Sequence, residues 1–199
     1  MPATKTLGAV FAQGLTQEGA SLSSLAATLD LDENELKSRL RRLQAEGLVS
    51  VRGDRVRLTA AGRRSIRVVF IGGGFEVIHA GHIHTVSEAK KLGDVLVAVV
   101  ARDETIRRRK GREPVSPERE RVTLLSSLRF VDAAILGGKG NIYDTLEKVK
   151  PDVVALGYDQ YHSVDDVGRE ARRRGLKVSV VRLDSPRPSI KTTRLLQEF

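Results

Sequence analysis

Between Arg67 and Ala101 the chain reads R-V-V-F-I-G-G-G-F-E-V-I-H-A-G-H-I-H-T-V-S-E-A-K-K-L-G-D-V-L-V-A-V-V-A, and few folds accept such a stretch. A short apolar run from Val68 to Ile71 breaks at three consecutive glycines. Helically spaced apolar positions follow, then a second apolar run from Val95 to Val100. That order predicts strand, glycine loop, helix, strand. Neither run alternates with polar residues, so neither strand has a wet face. Both belong in a parallel sheet covered on both sides, joined by a right-handed crossover.

The loop dictates the chemistry. Gly72, Gly73 and Gly74 let backbone amides approach a ligand without side chains in between, and the helix starting near Gly81 points unpaired N–H groups at the same place. Such a place binds phosphate. His79 and His82, one turn apart at the helix start, can both reach the same anion as N–H donors.

The run Gly73-Gly74-Phe75-Glu76-Val77-Ile78-His79-Ala80-Gly81-His82 resembles the G-T-F-D-x-x-H-x-G-H signature of the nucleotidyltransferase superfamily, which includes glycerol-3-phosphate cytidylyltransferases, phosphopantetheine adenylyltransferases and archaeal FAD synthases. The HxGH half is intact. Gly74 stands where the signature has Thr, and Glu76 where it has Asp. Losing the hydroxyl removes one phosphate contact, which raises the question of what serves in its place.

Residues 1–65 read as a separate small domain. Leu7, Val10, Phe11 and Leu15 recur at helical spacing, Ser21 caps a second helix, and Asp32 precedes a third with Leu36, Leu40 and Leu43 on one stripe. Gly47 ends it, and Leu48 to Leu58 alternates around Gly53-Asp54 as a hairpin. Three helices and a hairpin make a winged helix-turn-helix, and L-x-x-L-x-A-E-G-L-V resembles many prokaryotic regulator domains. In a DNA-binding member, Lys37, Arg39, Arg41 and Arg42 would meet the major groove, and Arg52 and Arg55 the backbone. Glu33, Glu35, Glu46 and Asp54 interrupt that charge, so a dimerisation, docking or degenerate module is the competing reading.

The remainder, residues 66–199, predicts an α/β fold: a doubly wound, Rossmann-like parallel sheet of five strands in the order 3-2-1-4-5. Asp103 to Pro117 reads as a basic loop, since Gly111 and two prolines oppose a long helix and Ile106 to Arg112 holds five cations. At the carboxyl edge of the sheet it would neutralise triphosphate. The resemblance implies Lys110 and Arg112 for this, Arg121 against the nucleotide, and Asp103 as a candidate to steer magnesium. Gly157-Tyr158-Asp159-Gln160 follows the fourth strand, and K-P-D-V-V-A-L-G-Y-D-Q resembles archaeal FAD synthases more than cytidylyltransferases. Asp159 would then bind the nucleoside and Tyr158 would stack on it. Tyr161 and His162 read as plain loop. Thr192 and Thr193 resemble the last motif of the family, which binds triphosphate at a helix start.

The resemblance implies transfer of AMP from ATP to FMN with Mg²⁺, with CTP and glycerol-3-phosphate or another alcohol phosphate as the alternative. It also implies a homodimer. A regulator that binds DNA and senses a nucleotide or flavin is the reading from a different class. No Cys is present, which excludes disulfides and Cys-ligated metals, and the net charge of +9 suits phosphate partners. With no membrane-spanning run or signal peptide in view, a cytoplasmic protein is expected.

Overall fold

A computed structural model describes residues 3–16 and 19–184. The chain divides between Arg67 and Val68 into two compact units.

The first unit holds α1 (Ala3–Thr16), β1 (Ala20–Ser21), α2 (Leu22–Leu29), α3 (Glu33–Ala45), β2 (Val49–Arg52), β3 (Arg55–Leu58) and α4 (Ala60–Arg64). Polar caps start its helices. Ser21 Oγ accepts from Ser24 N at 3.1 Å, and Asp32 Oδ1 accepts from Asn34 N at 2.8 Å and Glu35 N at 3.0 Å. Gly47 at φ +71° and Gly53 at φ +60° take the left-handed turns that end α3 and join β2 to β3. β1 adds to β3, giving a small antiparallel sheet in the order β1-β3-β2. Leu7, Leu25, Leu36, Leu40, Leu43 and Val56 fill its core.

The second unit contains β4 (Val68–Gly73), α5 (Ala80–Lys90), β5 (Val95–Val100), α6 (Asp103–Lys110), α7 (Glu118–Ser126), β6 (Ala133–Leu136), α8 (Ile142–Val149), β7 (Val153–Leu156), α9 (Val164–Arg173) and β8 (Ser179–Arg182). Its strands are all parallel in the order β6-β5-β4-β7-β8, the expected 3-2-1-4-5 arrangement. All six residues of β5 are buried, as the unbroken apolar run requires of a strand covered on both faces. Two aspartates finish the amino edge of the sheet. Asp152, just before β7, accepts from Val68 N at 2.7 Å, and Asp132, before β6, accepts from Leu96 N at 2.6 Å. Each satisfies an amide near the start of the neighbouring strand that the ladder leaves unpaired.

One expectation is overturned here. Asp103 to Lys110 is not loop but the helix α6, closed by Gly111 at φ +65°. Local rules explain it. Asp103 and Glu104 occupy the first turn and Arg107 to Lys110 the last, both complementing the helix dipole, while Ile106 is buried as an anchor. Clustered charge disguises this short amphipathic helix as a loop. Among the described residues no helix is long and apolar enough to cross a membrane.

Candidate active site

Because β5 and β7 flank β4, the loops after β4 and β5 and those after β6 and β7 diverge at the carboxyl edge and leave a crevice between them. A cavity of about 640 Å³ fills it. Gly72 to Phe75, His79, Gly81 and His82 form its floor; Lys110 and other α6 residues, the Gly137–Tyr143 region and the stretch from Gly157 to His162 form its walls.

The floor is held tightly. Phe75 adopts φ +49°, a left-handed conformation costly for a residue with a bulky side chain. A Cβ on Gly73 would lie 2.9 Å from the Phe75 ring, so only glycine permits this close approach. The Phe75 ring in turn lies 5.4 Å from that of His82. Gln160 Nε2 donates to Gly72 O at 2.5 Å, tying the end of β4 to the loop after β7.

His79 is the N-cap of α5. Its Nδ1 accepts from Gly81 N at 3.2 Å, which leaves the imidazole proton on Nε2. His82 stacks against it with ring centroids 4.0 Å apart. Burial lowers the His82 pKa to about 4, helped by the neighbouring His79 and opposed by Asp159. Burial also holds His79 below the usual imidazole value. Both rings are therefore neutral at pH 7 and act as hydrogen-bonding groups, not as cations. Among the described residues, His82 Nδ1 is buried with no hydrogen-bond partner.

Lys110 lines the cavity and pairs with Glu76. Glu76 also accepts from Arg112 Nη1 at 2.7 Å, Arg112 Nη2 at 3.2 Å and Val115 N at 3.3 Å. Burial by itself would raise the Glu76 pKa, yet the hydrogen bonds from Arg112 and Lys110 outweigh it and keep the group ionised. Arg112, expected on the nucleotide, does not line the cavity, because Glu76 and the Glu113 carbonyl engage it.

Arg121 and Asp103 also differ from expectation. Arg121 is fully buried, donating to Gly74 O at 2.5 Å, Ala101 O at 2.8 Å, Ser116 O at 3.0 Å and Asp103 Oδ1 at 2.6 Å. It stands behind the glycine loop and clamps the ends of β4 and β5 to α6, with no donor facing the cavity. Asp103 is committed to that guanidinium. Among the described residues no three His, Asp or Glu side chains gather to hold a metal ion.

Gly157, Tyr158 and Asp159 line the cavity. Thr192 and Thr193 lie outside the described residues. Sequence reasoning missed several walls. Gly137-Gly138-Lys139-Gly140-Asn141 links β6 to α8; its glycines and Asn141 face the cavity, and Asn141 and Asp144 form a capping box. Three glycines before a cap residue were the available signal. Arg109 lies over the Tyr161 ring at 4.1 Å and also donates to its hydroxyl, and the rings of Tyr161 and His162 are 3.9 Å apart. Arg182 donates to Gly157 O at 2.8 Å and Gln160 O at 3.1 Å, pinning that loop.

On the first unit, the cations considered for DNA pair locally. Lys37 meets Glu33 at 2.9 Å, Arg39 meets Glu35 at 2.5 Å and Arg42 meets Glu46 at 3.9 Å, each one turn away. Arg55 meets Asp54 at 3.8 Å, while Arg41 and Arg52 are exposed. These are the alternating pairs of a solvated helix face.

Comparison with known proteins places this geometry. Residues 9–64 match the HemN C-terminal domain family. The FAD synthase of Pyrococcus horikoshii is 43% identical over 139 residues, spanning 68% of this chain and 93% of that protein. That of Pyrococcus abyssi is 47% identical over 124 residues, spanning 62% and 83%. The crystal structure of a lipopolysaccharide core biosynthesis protein from Thermoplasma volcanium superposes with a TM-score of 0.58 at 42% identity, covering 60% of this chain and 98% of that one. Residues 70–198 match the cytidylyltransferase-like family, so the whole crevice falls inside the match, and this chain belongs to that family as a nucleotidyltransferase.

Proposed function

We propose that this chain is an FMN adenylyltransferase, joining FMN to the AMP part of ATP and releasing pyrophosphate. Glycine amides, the start of α5, two neutral imidazoles and Lys110 converge on one cavity, and this observation carries the reading. The FAD synthases at 43% and 47% identity supply the choice of acceptor and donor. The cavity volume of about 640 Å³ lies within the usual range for small-molecule sites.

An oxygen of the FMN phosphate attacks the α-phosphorus of ATP in line. The new P–O bond forms as the bond to the bridging oxygen of the β-phosphate breaks, and pyrophosphate leaves with that electron pair. A phosphomonoester is already ionised at pH 7, its second pKa being about 6, so no general base is required. Catalysis reduces to positioning and to stabilising charge on the oxygens. His79 Nε2–H and the His82 ring serve the α-phosphate, and the start of α5 adds amide donors. Lys110 serves the leaving pyrophosphate. Tyr158 and Asp159, on the opposite wall, meet the nucleoside.

Pyrophosphate release with magnesium, ATP or CTP and a panel of acceptors tests this. Release with ATP and FMN alone is the expected result. Release only with CTP and glycerol-3-phosphate overturns the acceptor and donor, and tight flavin binding without turnover, with retention on DNA, favours the regulator.

A further inference from the structure

The two positions at which the glycine loop departs from the signature lie either side of Phe75 and meet in one corner of the cavity. Gly74 carries no side chain. A Cβ there would sit 3.8 Å from Glu76 Oε2, 3.9 Å from Lys110 Nζ and 3.9 Å from Ile106 Cδ1. A methyl carbon alone fits in ordinary contact, and the next atom out would border the Glu76–Lys110 pair, so residue 74 and that ion pair share one corner.

Glu76 suits the corner through its length. Its side chain is only 1% exposed, and its two oxygens span Lys110, both terminal nitrogens of Arg112 and the amide of Val115. Shortening it by one methylene retracts the carboxylate from Lys110, Arg112 and Val115, because the left-handed turn at Phe75 fixes where the side chain starts. Lys110, by contrast, is 38% exposed and reaches the cavity. A buried carboxylate holding an exposed ammonium at the cavity wall is an orienting device.

We propose that Gly74 and Glu76 act as a coupled pair in which the bare α-carbon makes room for Glu76 to present Lys110 to the outer phosphates of the nucleotide, replacing a hydroxyl donor at residue 74. Glu76 is a positioning residue and Lys110 the group that touches substrate. The proposal rests on this cavity being the triphosphate site and is independent of which acceptor is used.

A double-mutant cycle tests it. Gly74→Thr, Glu76→Asp and the combination are compared with the wild type for kcat, KM for ATP and KM for FMN, with Mg·ATP affinity from equilibrium dialysis. Each single change is expected to raise KM and Kd for ATP about tenfold while KM for FMN moves less than about threefold. The double variant is expected to return to within about threefold of wild type, since the hydroxyl then fills the space that the shorter carboxylate vacates. Glu76→Gln, which keeps the length but not the charge, is expected to weaken ATP as Glu76→Asp does. Single effects that simply multiply in the double variant, or an unchanged ATP affinity in both Glu76 variants, overturn the proposal. Thermal unfolding guards against a lost fold. If Glu76→Asp unfolds, Gly74→Ser is measured with and without Lys110→Met: an effect of the serine that vanishes without the lysine supports the pairing, and one that persists overturns it. Should the wild type bind ATP but not turn over FMN, the acceptor assignment fails while the dialysis cycle still decides this inference.

Discussion

His79 and His82 stack with ring centroids 4.0 Å apart at the start of α5, and the capping bond from Gly81 N to His79 Nδ1 sets the tautomer of the first ring. His79 therefore caps the helix with one nitrogen and carries its proton on the other. Structure and chemistry share one side chain.

The two roles separate by substitution. Asn caps helices about as well as any residue, so His79→Asn is expected to keep the melting temperature within a few degrees while lowering turnover on the order of a hundredfold. His79→Ala is expected to lose about 1 kcal/mol of stability as well. His82→Ala is expected to cost a hundredfold or more in turnover with the fold retained. Steady-state kinetics with calorimetry checks all three, and full activity in either His79→Asn or His82→Ala rejects a phosphate-binding role for that ring.

The depressed His82 pKa makes stability depend on pH in a defined window. In the unfolded chain the imidazole takes up a proton near pH 6.5, whereas in the folded protein it resists until about pH 4. Between those values the unfolded state binds more protons, so stability is full above pH 6.5 and declines as the pH falls toward 4. The loss attributable to His82 is on the order of 2–3 kcal/mol by pH 4. Urea unfolding at several pH values should show this slope in the wild type and a flatter one in His82→Gln. Equal slopes would contradict a buried neutral ring.

Arg121 is expected to govern stability more than rate. Replacing it with Ala empties the space of a fully buried side chain and strands the half-buried Asp103 carboxylate and the carbonyls of Gly74 and Ala101, a loss of roughly 3 kcal/mol. Chemical denaturation measures this directly. A variant that unfolds as the wild type does and loses only turnover would place the guanidinium on the substrate after all.

Gly62 is tightly packed in the first unit, since a Cβ there would lie 1.9 Å from Leu48 O. Backbone must move to admit it, so Gly62→Ala is expected to destabilise this unit by about 3 kcal/mol or more, in the range of severe overpacking. Amide hydrogen exchange across residues 3–64 reads the effect, and unchanged protection would show that α4 can shift without cost.

Much of the site was legible because the signals are short-range. The turn from β4 into α5 lies within one stretch of chain, where apolar runs, glycines and a cap residue each report on a local backbone state. The parallel sheet follows from runs too apolar for a wet face and from helices that cross over between them, and its order from the doubly wound fold which that alternation indicates. The N-terminal helices announced themselves through caps at Ser21 and Asp32 and the glycine stop at Gly47.

What escaped was every contact between distant residues. Arg121 reaches Gly74 across 47 positions, Arg109 reaches Tyr161 across 52, and Gln160 reaches Gly72 across 88. A cation in a sequence carries the same charge whether it faces a cavity or is buried against carbonyls, so the roles of Arg112 and Arg121 were settled only when packing chose their partners. Local periodicity determined most of the elements, though not α6, and that the central strands belong in a covered parallel sheet. Tertiary structure alone decided which charged groups remain for a ligand, because it is burial that pairs some of them with the protein and leaves others to the crevice.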